Sequence, residues 1–89
     1  MPRRNDLDIC AEILQLSQRG ANKTRIVYGA NLNFKIVEKY LSRLIANGLL
    51  KASPNKRFLT TEKGLQFLEQ FQVLVAPIQE QKMLEEVAK

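Results

Sequence analysis

Lys23 and Arg25, then Lys35, Lys39 and Arg43, then Lys56 and Arg57 set positive charge at three separated points of the chain, with Asn33 and Ser42 among them. These side chains are suited to recognising an anion rather than to making bonds. Lys meets a phosphate as a point charge, and Arg and Asn can each pair two hydrogen bonds with the edge of a base. The charge is unevenly spread. Residues 1–58 hold 11 Lys and Arg against 4 Asp and Glu, a balance of +7, whereas residues 59–89 hold 3 against 5, a balance of −2. That asymmetry argues for a localised polyanion footprint rather than a generally basic protein. Catalytic parts are missing. There is no histidine, Cys10 is the only cysteine, and no Gly-rich phosphate loop or pair of carboxylates on one cleft is evident. A Cys/His zinc site, a His-based triad and an intramolecular disulfide are therefore excluded, and neither an enzyme nor a cofactor is expected. Cys10 reads as a small core hydrophobe.

The elements that must position these cations follow from caps and periodicity. A first helix is expected from about Asp6 to Gln18, capped by Asn5 or Asp6 and stopped at Arg19-Gly20. Leu7, Cys10, Ile13, Leu14 and Ser17 form its apolar stripe, widened by Ile9 and Leu16. Asn22 caps a short second helix through about Tyr28, with Ile26 and Val27 inward and Gly29 at its end. Asn33 caps a third helix, from Phe34 to about Asn47, whose apolar set is Phe34, Val37, Leu41, Leu44 and Ile45, with Ile36 and Tyr40 at the edge. Lys35, Lys39, Ser42 and Arg43 take the opposite face, and Asn47-Gly48 stops the helix. Leu49 to Ser53 and Arg57 to Thr60 read as two strands joined across Pro54-Asn55-Lys56.

Thr60 or Thr61 caps a last helix. Leu65, Leu68, Phe71 or Gln72, and Val75 make one apolar line along it. Phe67, Phe71, Leu74 and Ile78 make a second line, spaced like a coiled-coil seam. One line can cover the core, and the second then needs a partner, although all of it could also cover the monomer core. Pro77 removes a backbone donor and clashes with the preceding turn, so a kink or break is expected near Ala76.

Helix, tight turn, helix and basic hairpin are the order of a winged helix-turn-helix. The expected fold is mainly α with a small β-hairpin wing and a long C-terminal dimerisation helix kinked or broken near Pro77. Residues 1–60 are the DNA-binding region and 61–89 the helical dimerisation segment of the same single domain. Asn33, Lys35, Lys39, Ser42 and Arg43 would meet the DNA groove, Lys56 and Arg57 the backbone from the hairpin tip, and Lys23 and Arg25 a phosphate at the second helix's start. Plainer readings exist for each. The helix face can be a solvated face, Asn33 only a cap, the tip a soluble turn, and Arg25 half of an ion pair with Glu38 or Glu12. Tyr28 reads as core or interface filler. Arg3 and Arg4 could reach DNA as an arm, but a disordered terminus is the favoured reading.

The run Lys23-Thr24-Arg25-Ile26-Val27-Tyr28-Gly29-Ala30-Asn31-Leu32, with Leu59-Thr60-Thr61-Glu62-Lys63-Gly64, resembles a family of small archaeal winged-helix proteins. These are the ten-kilodalton chromatin-associated DNA-binding proteins and related short regulators. The likeness covers about residues 6 to 75. It implies a homodimer formed through the last helix as an antiparallel coiled coil, and double-stranded DNA as ligand. Pro77 departs from an uninterrupted coil.

A docking module for another protein is the main competing reading, since winged helices serve that role too. It gives no reason to put the basic excess on the helix-turn-helix half. RNA binding lacks an aromatic-on-strand stacking pattern. No apolar run reaches membrane length and Met1-Pro2-Arg3-Arg4 lacks a signal-peptide core, so a cytoplasmic, nucleoid-associated protein is expected.

Overall fold

Asparagine starts three of the helices by the same device. Asn5, Asn22 and Asn33 each stand in extended backbone, and their side-chain oxygens accept the N–H of Asp8, Arg25 and Ile36 at 2.8 Å. One orphan donor is satisfied at each helix start, which contributes about 1 kcal/mol per cap. At Asn5 the bond is returned, the backbone N–H donating to Asp8 Oδ2 at 3.2 Å.

The computed structural model describes residues 5–72. These caps open α1 (Asp6–Leu16), α2 (Lys23–Ala30) and α3 (Phe34–Ala46). Strand β1 (Ala21–Asn22) precedes α2, and β2 (Leu50–Ser53) and β3 (Arg57–Thr60) follow α3. Helix α4 occupies residues 62–72. Thr61 begins it in a different way, its Oγ1 accepting the Gly64 N–H at 3.1 Å while its hydroxyl donates to Gly48 O at 2.6 Å.

The three strands form an antiparallel sheet in the order β1-β3-β2, with Ala52 opposite Phe58 and Ser53 opposite Arg57. A 3-10 turn, Pro54–Lys56, closes the hairpin, and Asn55 and Lys56 both take positive φ, 69° and 58°. Asparagine tolerates this region; for lysine it costs about 1–2 kcal/mol.

Ile13 and Leu14 of α1, Ile26 of α2, Val37 and Leu44 of α3, and Leu50 of β2 form the centre of the core, and Leu68 of α4 closes it. Each such burial contributes roughly 1.5–3 kcal/mol. The hairpin is fastened to α1 at its return end. Thr60 donates its backbone N–H to Ser17 O at 3.0 Å and its hydroxyl to Leu14 O at 2.6 Å. Helix α4 crosses the start of the hairpin so closely that a Cβ on Gly64 would stand 2.2 Å from Leu49 O. Only glycine fits there.

Several sequence expectations are corrected. The first helix stops at Leu16 rather than Gln18, because Ser17 already departs from helical backbone. Gly29 does not end α2 but lies inside it, where a Cβ would meet the Leu16 side chain at 2.8 Å; Asn31, at φ 55°, takes the left-handed turn. The hairpin is part of a three-stranded sheet, since β1 pairs with β3 through Ala21–Phe58 and Asn22–Arg57. Leu7, Phe34, Ile45 and Leu65, assigned to apolar stripes, are exposed, whereas Tyr40, set at the edge, is buried. Tyr28 is 76% exposed and fills no core position. Phe67 and Phe71 stack with ring centroids 6.3 Å apart and lie half-buried against the core of their own chain. Leu74, Ile78 and the expected break near Pro77 lie outside the described residues, as do Arg3 and Arg4.

Candidate nucleic-acid interface

Val37, Tyr40, Leu41 and Leu44 anchor α3 inward. At about 100° per residue, the direction opposite them falls on Lys35, Lys39, Ser42 and Ala46. All four are exposed. The two lysines therefore stand one turn apart on the same face, with a small hydroxyl and a methyl beside them. Neither lysine has an acidic partner among the described residues. Asn33 precedes the helix as its exposed cap, with its oxygen committed to the Ile36 N–H.

Arg43 lies off that axis, toward α1. Its guanidinium is 3.8 Å from Asp6 Oδ2 and 5.6 Å from the centre of the Tyr40 ring. Tyr40 donates its hydroxyl to the other Asp6 oxygen at 2.5 Å. This bond to the carboxylate, with burial added, raises the Tyr40 pKa. Close by, burial pushes the Cys10 thiol up against the opposing pull of Arg43, so Cys10 is a protonated, half-buried packing residue.

On the other flank Lys23 Nζ is 3.0 Å from Glu38 Oε1, across α2 and α3. Sequence reasoning offered Glu38 to Arg25; the structure gives it to Lys23. Arg25 instead shares a small notch of about 290 Å³ with Arg57, lined also by Gly20, Ala21 and Asn22. The pairing of β1 with β3 brings these two arginines together from distant parts of the sequence.

Between the start of α2, the start of α3 and the hairpin tip lies a larger groove of about 610 Å³. Asn22 at the end of β1 and Lys23 and Thr24 of α2 line it, with Asn55 and Lys56 from the tip, and Phe34 and Phe58 complete it. Lys56 is exposed and has no acidic partner among the described residues. Sequence reasoning missed both aromatics. Phe34 occupies a core phase of the α3 stripe, but it is the helix's first residue and 46% of it is exposed.

The arrangement can hold an extended polyanion against α3 and the hairpin, with hydrogen-bond donors at the front of α3. It offers little else. No group of three or more His, Cys, Asp or Glu placed to hold a metal occurs among the described residues, and no helix among them is long and apolar enough to cross a membrane.

Comparison with known proteins agrees with this geometry. An uncharacterized protein of Methanocaldococcus jannaschii is 40% identical over 63 residues, a match spanning 70% of this chain and 64% of that protein. The crystal structure of Sso10a-2, a DNA-binding protein from Sulfolobus solfataricus, superposes with a TM-score of 0.76 at 25% identity, covering 96% of this chain and 93% of that one. Both organisms are archaea, in keeping with the resemblance noted in the sequence. The pattern that defines the winged helix-turn-helix proteins matches residues 3–77, a span that contains α2, α3 and the basic hairpin, and the chain belongs to that family.

Proposed function

We propose that this protein binds double-stranded DNA as a homodimer, laying the outer face of α3 in the major groove and the hairpin against the flanking backbone. The observation that carries the reading is the set of exposed lysines without an acidic partner among the described residues, Lys35 and Lys39 on α3 and Lys56 on the hairpin. A surface of this kind gains affinity by releasing counterions from phosphate. Ser42 and Asn33 supply polar contacts on the same helix, and Arg43 adds charge from its margin while engaged with Asp6. Lys23, Arg25 and Arg57 extend the positive surface along the start of α2 and the turn end of β3. Sso10a-2 supports the reading, being a DNA-binding protein of the same fold.

The functional division is into residues 1–60, which meet DNA, and residues 61–89, which join two copies in a coiled coil through Phe67, Phe71, Leu74 and Ile78. A dimer of this size that grips mainly phosphate fits a nucleoid-associated, chromatin-like protein or a compact transcriptional regulator in the cytoplasm.

The test is a duplex titration at several salt concentrations. If a dimer neutralises about eight phosphates, log affinity against log salt should slope near −7. Lys56→Ala should flatten that slope by about 2 and weaken all sequences alike. Duplex affinity that does not change with salt would leave the protein-docking reading as the better one. Sedimentation should give twice the chain mass at micromolar concentration, and Phe71→Glu should move it toward the monomer; a monomeric wild type would remove the dimer from the proposal.

A further inference from the structure

We infer that the groove between α2, α3 and the hairpin tip holds unpaired nucleotides of a DNA strand, with a base against Phe34 and Phe58 and phosphate at Lys56. This rests on the nucleic-acid reading above and adds to it a second class of ligand, single-stranded DNA.

The composition of the groove is the ground for it. A duplex presents phosphates, sugars and the edges of paired bases to a protein, and lysines and amides are enough to meet these. This groove also carries two phenyl rings. Phe34, at the head of α3, is 46% exposed, and Phe58 is half-buried on β3 with its inner side against the core. With 46% of its surface open to water at the head of a charged helix, Phe34 has surface free to meet a ligand in the groove. Every unpaired base has a π-face, and stacking on an aromatic side chain is tolerant of sequence.

The rest of the lining fits the same occupant. Lys56 meets the groove with no acidic partner among the described residues, and Lys23, although paired with Glu38, also lines it. Asn22, Thr24 and Asn55 add short polar side chains able to reach a base edge or a sugar. The volume, about 610 Å³, falls within the range of small-molecule sites, about 300–1,000 Å³. The positive charge disfavours a cationic occupant. The open shape suits a strand that enters and leaves, not an enclosed ligand.

The experiment compares a fluorescein-labelled dT12 strand with a labelled 12-base-pair duplex by anisotropy at one salt concentration. The full chain is used as wild type, Phe34→Ala and Ile36→Ala. Ile36 is a control of similar exposure on α3 that does not line the groove. The wild type should bind both ligands. Phe34→Ala should weaken dT12 by about tenfold, the scale of one lost stacking contact, and change the duplex by less than about twofold. Ile36→Ala should change neither. Circular dichroism of each variant establishes that the fold is kept, and Phe34→Tyr, which keeps the ring, should restore dT12 binding if Phe34→Ala perturbs the helix. Duplex binding without dT12 binding would overturn this inference and leave the proposed function standing. Equal losses on both ligands, or no loss on either, would also overturn it. Failure to bind either ligand would remove both readings.

Discussion

The two flanks of α3 are built from similar residues and have opposite states. On the flank toward α1, Arg43, Tyr40 and Asp6 satisfy one another: the cation lies over the ring, the ring's hydroxyl donates to the carboxylate, and the carboxylate faces the cation. On the flank toward the hairpin, Phe34 is open, Lys56 is unpaired among the described residues, and only Lys23 is engaged, with Glu38. Cations and aromatics occur on both. The first flank engages them within the fold, and the second leaves Phe34 and Lys56 exposed. Residue type therefore does not separate engaged from exposed side chains here; the supply of internal partners does.

The largest expected effect tests what the flanks share. Leu41 is buried in the spine of α3, and Leu41→Ala should lower the unfolding free energy by roughly 2–5 kcal/mol in urea denaturation. A change below about 1 kcal/mol would mean that α3 is held by its flanks instead. The next comparison separates a free cation from a spent one. Lys39→Ala should weaken duplex binding by about tenfold, and Arg43→Ala by less than about threefold, since Arg43 is already partnered and off the outer face. Equal losses in the two titrations would erase the distinction between a free cation and a partnered one.

Lys56→Gly bears on the open flank alone. Relief of the left-handed conformation should raise stability by about 1 kcal/mol in the same denaturation measurement while duplex affinity falls. A rise in both would show that the charge at this position has no ligand. The closed flank has its own signature at high pH. Tyr40 keeps its proton more firmly folded than unfolded, so its contribution is complete below the ordinary tyrosine value of about 10. It is lost as pH rises through the raised folded value, because the unfolded chain then gives up the proton first. Tyr40→Phe should remove that alkaline loss of stability, and an unchanged alkaline profile in thermal melts would contradict it.

What could be read from the sequence was local. The Asn5, Asn22 and Asn33 caps each depend on one bond three residues away; Asn22 and Asn33 appear where expected, and Asn5 is the one of the two residues offered, Asn5 or Asp6, that caps α1. The turn at Pro54 to Lys56 was legible for the same reason. Features that depend on distant chain were not. Two residues of β1 carry no periodic signal, and only β3 makes them a strand. Gly29 looked like a stop, whereas its lack of a side chain serves the Leu16 contact. The α3 stripe had the right phase at its centre and failed at its margins. Whether Phe34, Ile45 or Tyr40 is covered depends on where neighbouring elements end, and Tyr40 is covered because Asp6, on α1, receives its hydroxyl. The cations were legible as a charged region, but their division into engaged and free was not, since Asp6 and Glu38 find their partners 37 and 15 residues away.

The choice of asparagine as cap carries a consequence for how a polyanion would see this surface. Aspartate caps a helix about as well, and its charge would be favoured by the helix dipole. At Asn22 and Asn33 it would also set a fixed negative charge at the starts of the two helices that border the groove. A neutral amide keeps the helix start satisfied without that repulsion, so the protein holds its local order and its attraction for phosphate by different means. Asn33→Asp separates the two: melting should shift little, while duplex binding weakens by a small factor that shrinks as salt is added. Equal binding by both forms at low salt would show that the head of α3 does not approach phosphate.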